Sequence, residues 1–274
     1  MTATLTQSRE RRVGQAAVSS AAAQVIVTGA SLLLVPLLLS ALGKSGYGLY
    51  ATLMTVPMLL AASDFGIGTS VISRLSSSLS RGETDEARRV VSNALAALLL
   101  AAGVTLCLGL ALVPLGVHFL SETSSTVNRR ELTIALVVLV SFIALGIPAA
   151  LGARIAMGQQ RGWVLGLQTS SAAVISVLLA ASILKLTPSL PVAIAGSLGA
   201  TTLCSLALTL VICRRISPEL RPKLSYVTRQ EITEAGRSGG LFFFLNIAGA
   251  ISFQADMLVI AVMLNGDEAT VYSV

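Results

Sequence analysis

The chain has 274 residues, of which 54% are hydrophobic and only 12% are charged, and its formal net charge is +6. A soluble domain typically carries about 25% charged residues, so this composition is typical of a membrane protein. The basic residues lie between apolar runs and form no patch interleaved with aromatic residues, so the positive charge does not indicate a nucleic-acid partner.

A helix needs about 20 mostly apolar residues to cross a bilayer. By this measure the sequence predicts seven membrane spans, at residues 16–42, 47–73, 91–117, 132–157, 163–185, 190–213 and 238–264. Residues 1–15 form a polar tail that lacks the apolar core and cleavage site of a signal peptide. The predicted fold class is therefore an all-α, polytopic membrane protein.

The loops between these spans alternate sharply in basic charge. Most lysine and arginine residues lie before span one and after spans two, four and six, and the exceptions are Lys44, Arg129, Arg130 and Lys185. Because lysine and arginine are retained in cytoplasmic loops, this alternation predicts a cytoplasmic N-terminus. The longest loop, 214–237, is basic and is expected to lie along the cytoplasmic surface, where it also suits anionic headgroups.

A weak internal repeat divides the chain into two units. The segment LGKSGYGLY at 42–50 can be laid over LNGDEATVY at 264–272, with matching leucine and tyrosine at the two ends. Repeats of this kind are common in secondary transporters. We therefore expect residues 16–213 to form a six-helix N-terminal bundle and residues 238–274 to begin a second bundle. We also expect the chain to be a truncated protein or a fragment, because it stops inside what should be span eight.

An aspartate lies inside the apolar run of span two. Asp64 is followed by Gly66 and Gly68, which weaken a helix and allow a kink. In one interpretation the carboxylate accepts hydrogen bonds from backbone N–H groups that the break releases. In the other it is a proton or cation site, or a gate partner for Arg74 or Arg154, because charged residues inside a membrane usually face a cavity or a partner.

Span seven carries a polar stripe. Asn246, Gln254 and Asp256 lie inside this predicted helix, and residues at helical spacing could share one face. This face either packs against helices that follow in the second bundle, or lines a cavity in which Asp256 binds a coupling ion.

Four segments together resemble a known family. They are LGKSGYGLY, SDFGIGTSVISRLS at the end of span two, ARIAMGQQRGW after span four and FQADMLVIAVMLNGDEATVYSV in span seven. The order resembles the polysaccharide transporter branch of the multidrug/oligosaccharidyl-lipid/polysaccharide exporter superfamily, which includes O-antigen-type flippases.

The resemblance implies two helical bundles around a central cavity in a bacterial inner membrane. It implies that a lipid-pyrophosphate-linked glycan moves from the cytoplasmic to the outer leaflet by alternating access, with H⁺ or Na⁺ as coupling ion. Proteins that synthesise cell-envelope glycans, such as lipopolysaccharide, are the expected partners. A pyrophosphate needs cations facing the cavity, and Arg154, which ends an otherwise apolar helix, is the first candidate ahead of Arg74. Membrane topology alone also accounts for Arg154.

The sequence carries no motif of an enzyme, a metal site or a cofactor site. The three cysteines lie in or at the ends of apolar runs without C-x-x-C spacing, which is typical of small buried apolar residues. Three functions besides a glycan-lipid flippase stay open. They are a lipid II flippase, a cation-coupled multidrug exporter, for which an acidic residue is expected in span one, and a non-transporting membrane scaffold for glycan synthesis.

Overall fold

The structure is a computed structural model that describes residues 2–62, 67–123, 128–184 and 187–228. Within these ranges the regular elements are all helical, which confirms the predicted all-α fold class. The helices are α1 (Thr2–Ala62), α2 (Ile67–Ser80), α3 (Thr84–Thr123), α4 (Arg129–Ala149), α5 (Leu151–Gly158), α6 (Trp163–Ile183) and α7 (Leu190–Val211). A π-helical turn, Ile212–Ile216, and two 3₁₀ turns, Pro218–Leu220 and Leu224–Tyr226, follow α7. Predicted span seven lies outside the described residues.

Five stretches of helix are long and apolar enough to cross a membrane in the described part of the chain. They are Ser19–Pro57, Thr84–Ser121, Arg129–Gly158, Trp163–Ile183 and Leu190–Ile216. The first stretch covers most of predicted span one and the start of span two, because α1 runs through both. The remaining four correspond to predicted spans three to six, and α2 contains the end of span two.

Helix α1 consists of two arms that meet at Gly43. This glycine has φ 70° and ψ 175°, outside the helical region, and a positive φ is accessible to glycine at little steric cost. Leu38 on the first arm and Leu53 on the second belong to the same buried cluster. The break therefore lets both arms, residues 2–42 and 44–62, pack into one bundle instead of forming a single rod.

Helix α7 contacts four of the other helices of this bundle. It packs against α1, α4, α5 and α6, while α3 packs against α2 and α4, and α2 packs against α5. Buried apolar residues form one cluster at each end of the bundle. Large apolar side chains on the outer faces stay exposed, as expected for a surface that meets lipid.

The apolar stretch Arg129–Gly158 is broken at Ala150, just after Pro148, and α7 bridges the break. The Thr209 hydroxyl donates to the Ala149 carbonyl over 2.7 Å and accepts from the Gly152 N–H over 2.9 Å. A neighbouring Thr side chain is one of the groups that satisfy freed backbone at such a break in a membrane helix. The approach is close, since a Cβ on Gly152 would lie 2.5 Å from the Thr209 Cα.

The segment after α7 is bonded to the start of α3. We call residues 217–228 the strap. The amide of Asn93 donates to the Tyr226 carbonyl over 3.1 Å and accepts from the Thr228 N–H over 3.0 Å. The Ser92 hydroxyl accepts from the Lys223 N–H over 3.1 Å. The α2–α3 and α5–α6 turns lie at one end of the bundle, which we call the basic end. The bonds from Ser92 and Asn93 hold the described part of the predicted loop 214–237 against this end.

We expect Gly152→Ala to destabilise the bundle and Gly146→Ala not to. The new Cβ at 152 meets backbone atoms of α7 at 2.5 Å and forces the helices apart, at about 1–3 kcal/mol for overpacking. At Gly146, on the same apolar helix, a Cβ would have no atom within 4 Å, so alanine there is neutral or mildly stabilising. Unfolding by sodium dodecyl sulfate, followed by circular dichroism, measures the difference. Equal stability of the two variants would contradict the close α5–α7 contact.

Candidate translocation surface

The structure places two of the six predicted site residues. Asp64, Asn246, Gln254 and Asp256 lie outside the described residues. For Asp64, the described helices flank the position, since α1 ends at Ala62 and α2 begins at Ile67. Arg74 lies on α2 with an exposed side chain, and Arg154 lies on α5 with a side chain that is 8% exposed.

The helices that carry the two arginines touch each other. A Cβ on Gly158 of α5 would lie 2.8 Å from the Leu75 side chain of α2. The arginines nevertheless have different environments, because Arg74 is exposed whereas Arg154 is buried and has fully buried neighbours, Leu151 and Ile155, on its own helix. A buried guanidinium needs a partner, and the Arg154 side chain has an interaction in the structure.

A stripe of polar side chains runs along the exposed side of the first arm of α1. Its members follow each other by four, four and three residues, so they share one sector of the helix, and all are exposed: Ser20, Gln24, Thr28 and Ser31. Ala23 and Ala30, on another face of the same arm, are buried in the bundle. We call this set of four exposed residues the first-arm stripe.

The second arm of α1 repeats this pattern. Exposed small or polar residues follow each other at three, four and three residues: Ser45, Gly48, Thr52 and Thr55. Leu49, Tyr50 and Leu53 form the buried face of this arm. We call the exposed set the second-arm stripe. Both arms therefore turn an apolar face to the bundle and carry a stripe of small or polar residues on the side away from it.

The hydroxyl groups of both stripes bond mainly to their own helix. Ser31 donates to the Thr28 carbonyl over 2.8 Å, and Thr52 and Thr55 donate to the carbonyls of Gly48 and Thr52 over 2.9 and 2.7 Å. This back-bonding lets a hydroxyl enter an apolar span at low cost. Such groups still accept hydrogen bonds from water or substrate, because only their donor is used.

Gln24 differs from these hydroxyl residues. Its amide has two donors and a carbonyl acceptor, and its side chain has no hydrogen bond to another described residue. In hydrocarbon each unsatisfied polar group costs several kcal/mol. A polar residue inside a membrane span normally faces a cavity or another part of the protein, so we expect the first-arm stripe to face one of these rather than lipid.

Behind α1 and α6, α7 carries a ladder of interior hydroxyl groups. The Tyr50 hydroxyl is 2.7 Å from the Ser197 hydroxyl, and the Gln168 amide donates to the Ser205 hydroxyl over 2.6 Å. Together with the bonds of Thr209, these hydrogen bonds connect α7 to α1, to α6 and to the α4–α5 break. The Gln168 carbonyl oxygen is buried without a hydrogen-bond partner among the described residues.

Two amide side chains, Gln24 and Gln168, were not predicted as site residues from the sequence. Both lie inside apolar runs, in predicted spans one and five. A search for every uncharged polar residue with two or more hydrogen-bonding groups inside a predicted span would have identified them. A search for charged residues misses them, because span one contains no charge between residues 19 and 43.

The sequence matches a family model described as polysaccharide biosynthesis protein over residues 13–274. Among curated proteins, none shows significant sequence similarity to the chain.

Solved structures share the fold at low sequence identity. One is an outward-facing multidrug resistance MATE family transporter of the MOP superfamily (TM-score 0.76, 14% identity, 96% of this chain and 58% of that chain). Another is MATE in complex with MaD3S (TM-score 0.76, 14% identity, 96% and 59%). A third is a MOP superfamily transporter from Pyrococcus furiosus whose binding pocket has reversed polarity (TM-score 0.73, 16% identity, 96% and 58%).

The chain therefore spans less than two thirds of the length of these structures. The likeness shows that the described residues adopt the fold of the matching part of a MOP superfamily protein. Together with the five apolar helices, it identifies a multi-pass membrane protein.

We expect a cysteine at position 24 to react with a water-soluble thiol reagent and a cysteine at position 25 not to. The two positions are neighbours at nearly the same depth, but Val25, which is 73% exposed, points away from the stripe. Thiol reactivity needs the thiolate, which an apolar environment suppresses, so we expect at least about a tenfold difference in rate. The measurement uses Gln24→Cys and Val25→Cys in native membranes, with Cys107, Cys204 and Cys213 replaced. Equal rates would show that the first-arm stripe does not border water.

Proposed function

The chain belongs to the polysaccharide biosynthesis protein family, and on that premise we propose that it provides the first half of a transporter that flips lipid-linked glycan precursors. The substrate is a lipid-pyrophosphate-linked oligosaccharide that moves from the cytoplasmic to the outer leaflet by alternating access. The observation that carries this proposal is the stripe of exposed small and polar residues on each arm of α1.

The two stripes of α1 form one wall of the path in this proposal. A glycan presents many hydroxyl groups, which exchange hydrogen bonds with water and with protein hydroxyl and amide groups at similar strength. The short side chains of the stripes leave room for a bulky head group, and Gln24 supplies both donors and an acceptor. In this proposal the second wall belongs to a second bundle, which residues 238–274 are expected to begin.

The pyrophosphate group is assigned to the basic end. Arg154 remains the first candidate to bind it and Arg74 the second. A guanidinium presents a planar fork that matches phosphate oxygens, and an arginine with a buried stem is held in a defined position. For Arg154 this role requires its present interaction to be exchanged for the phosphate when the substrate enters from the basic end.

Alternating access also needs a source of energy, and we propose that H⁺ or Na⁺ supplies it. Asp64, between α1 and α2, and Asp256, with Asn246 and Gln254, are the proposed ion-pathway residues. A carboxylate inside a membrane span is a functional site by default, because its ionised form needs a cation, water or donor nearby.

The proposed location is the bacterial inner membrane, with the N-terminus and the basic end in the cytoplasm. This orientation follows from the distribution of arginine and lysine, which are retained on the cytoplasmic side. It places the arginines where a lipid-linked glycan is made and would enter. Proteins that build and extend cell-envelope glycans, such as lipopolysaccharide, are the proposed partners.

A multidrug exporter is the second candidate, since two of the similar structures are described as MATE proteins. Likeness of fold does not carry substrate choice. Span one contains no acidic residue, whereas one is expected there in a cation-coupled multidrug exporter.

A lipid II flippase and a non-transporting scaffold are the third and fourth candidates. Flux of a pyrophosphate-linked glycan lipid into reconstituted vesicles, measured beside flux of lipid II and efflux of a cationic dye, distinguishes the four.

We expect Arg154→Gln to slow the flux of a pyrophosphate-linked glycan lipid by roughly 10- to 100-fold, because a hydrogen bond to a charged group is lost. The same glycan on a monophosphate lipid should be affected less. Arg81→Gln is the matched control, since Arg81 is exposed and paired with Glu83 at 3.3 Å. Arg154→Lys keeps the charge, and retained flux in this variant would show that the loss in Arg154→Gln does not result from misfolding. Wild-type flux in folded Arg154→Gln would remove Arg154 from the substrate path.

We expect Asp256→Asn to abolish the stimulation of flux by a proton or sodium gradient, because an amide neither takes up a proton nor balances a cation. The control is Asp85→Asn, at an exposed carboxylate in the first turn of α3. The measurement is flux in vesicles with and without an imposed gradient. If flux and its dependence on the ion stay unchanged in Asp256→Asn, the coupling role of Asp256 is wrong.

A further inference from the structure

The end of α7 buries two residues and exposes two arginines. In the π-helical turn Ile212–Ile216, Ile212 and Cys213 are buried in the apolar cluster of the basic end, whereas Arg214 and Arg215 are exposed. The Ser217 N–H closes the turn by donating to the Ile212 carbonyl over 2.8 Å. The backbone that carries the arginine pair is therefore held on one side by the bundle.

Exposed apolar residues stand on both sides of this pair. Leu210 and Val211 precede it with 52% and 45% of their side-chain surfaces exposed, and Ile216 follows it with 38% exposed. All belong to the same apolar helical stretch, Leu190–Ile216. Since the pair lies within the last turn of an apolar stretch long enough to span a membrane, we expect the arginines to lie at the hydrocarbon boundary, near the depth of the lipid phosphates.

The strap brings further positive charge to this place. Arg221 and Lys223 lie on the strap, and Arg89 of α3 lies 5.7 Å above the Tyr226 ring. The bonds from Ser92 and Asn93 fix the strap, so these cations do not belong to a loose loop. The nearest acidic residue in sequence, Glu219, is exposed and forms no ion pair with Arg214 or Arg215 within the described ranges.

We propose that Arg214 and Arg215 form a binding site for the headgroup of an anionic phospholipid. The two guanidinium groups bind the phosphate, and the strap cations attract the net negative charge of the lipid. The exposed apolar residues beside the pair contact the acyl chains. Positive charge that served only membrane orientation would attract anionic lipids at either exposed arginine pair alike, whereas a binding site holds the headgroup at this pair alone. The site lies at the outer surface of α7, separate from the stripes of α1, and does not depend on what the protein transports.

The test measures lipid binding directly. The full-length protein is purified in detergent, depleted of lipid and titrated with short-chain phosphatidylglycerol or phosphatidylcholine, and bound lipids are counted by native mass spectrometry. We expect Arg214→Gln/Arg215→Gln to weaken binding of phosphatidylglycerol about 30-fold, roughly fivefold for each arginine, and to leave phosphatidylcholine unchanged. Arg214→Lys/Arg215→Lys, which keeps both charges, should retain most of the preference.

Arg129→Gln/Arg130→Gln is the matched control, because it removes an equal charge from an exposed pair at the other end of the bundle. This variant should bind phosphatidylglycerol as the wild type does. The proposal is wrong if the control loses as much affinity, if Arg214→Gln/Arg215→Gln loses none, or if millimolar inorganic phosphate displaces the lipid, which would indicate a site for a free anion. In the wild type, raising the salt concentration should weaken the preference, and insensitivity to salt would also overturn it.

Discussion

The structure depends on hydrogen bonds that satisfy polar groups inside an apolar bundle. Helix α7 does this with hydroxyl groups spaced along one helix. Ser197 bonds to α1, Ser205 bonds to α6, and Thr209 completes the backbone at the α4–α5 break. Each of these bonds joins one residue of α7 to one residue at the same level of a neighbouring helix. The set therefore also fixes the position of the surrounding helices along α7.

This arrangement leaves α1 with two different faces. One face is apolar and packs into the bundle, mainly against α6 and to a smaller extent against α7. The other face carries Gln24 and the small hydroxyl residues of both arms, and the break at Gly43 sets the angle between the arms. In the proposed function this polar face of α1 is one wall of the transport path. The basic end adds charge, with Arg154 buried and Arg214 and Arg215 at the outer surface.

Hydropathy predicted the all-α membrane fold and the approximate positions of the apolar helices, because the length of an apolar run reports whether a helix can cross lipid. It did not predict that span one and the start of span two would be joined in a single helix, α1, with non-helical backbone only at Gly43. It also did not predict the break after Pro148, where a threonine from another helix accepts and donates the missing hydrogen bonds. The loop 214–237 was predicted to lie along the surface, and the hydropathy pattern gave no sign that the strap within it would bond to Ser92 and Asn93. Pairings between distant residues leave no trace in a hydropathy pattern.

For the candidate site, the sequence by itself determined that charges such as Asp64 and Arg154 lie in or at the ends of apolar spans, since residue type and run length are local properties. The tertiary structure alone decided that Arg154 is buried while Arg74 is exposed, and that Gln24 lies on the face of α1 turned away from the bundle. An apolar membrane helix is hydrophobic on nearly all sides, so its sequence does not reveal which side meets lipid, protein or water. That choice is made by the helices that pack against it.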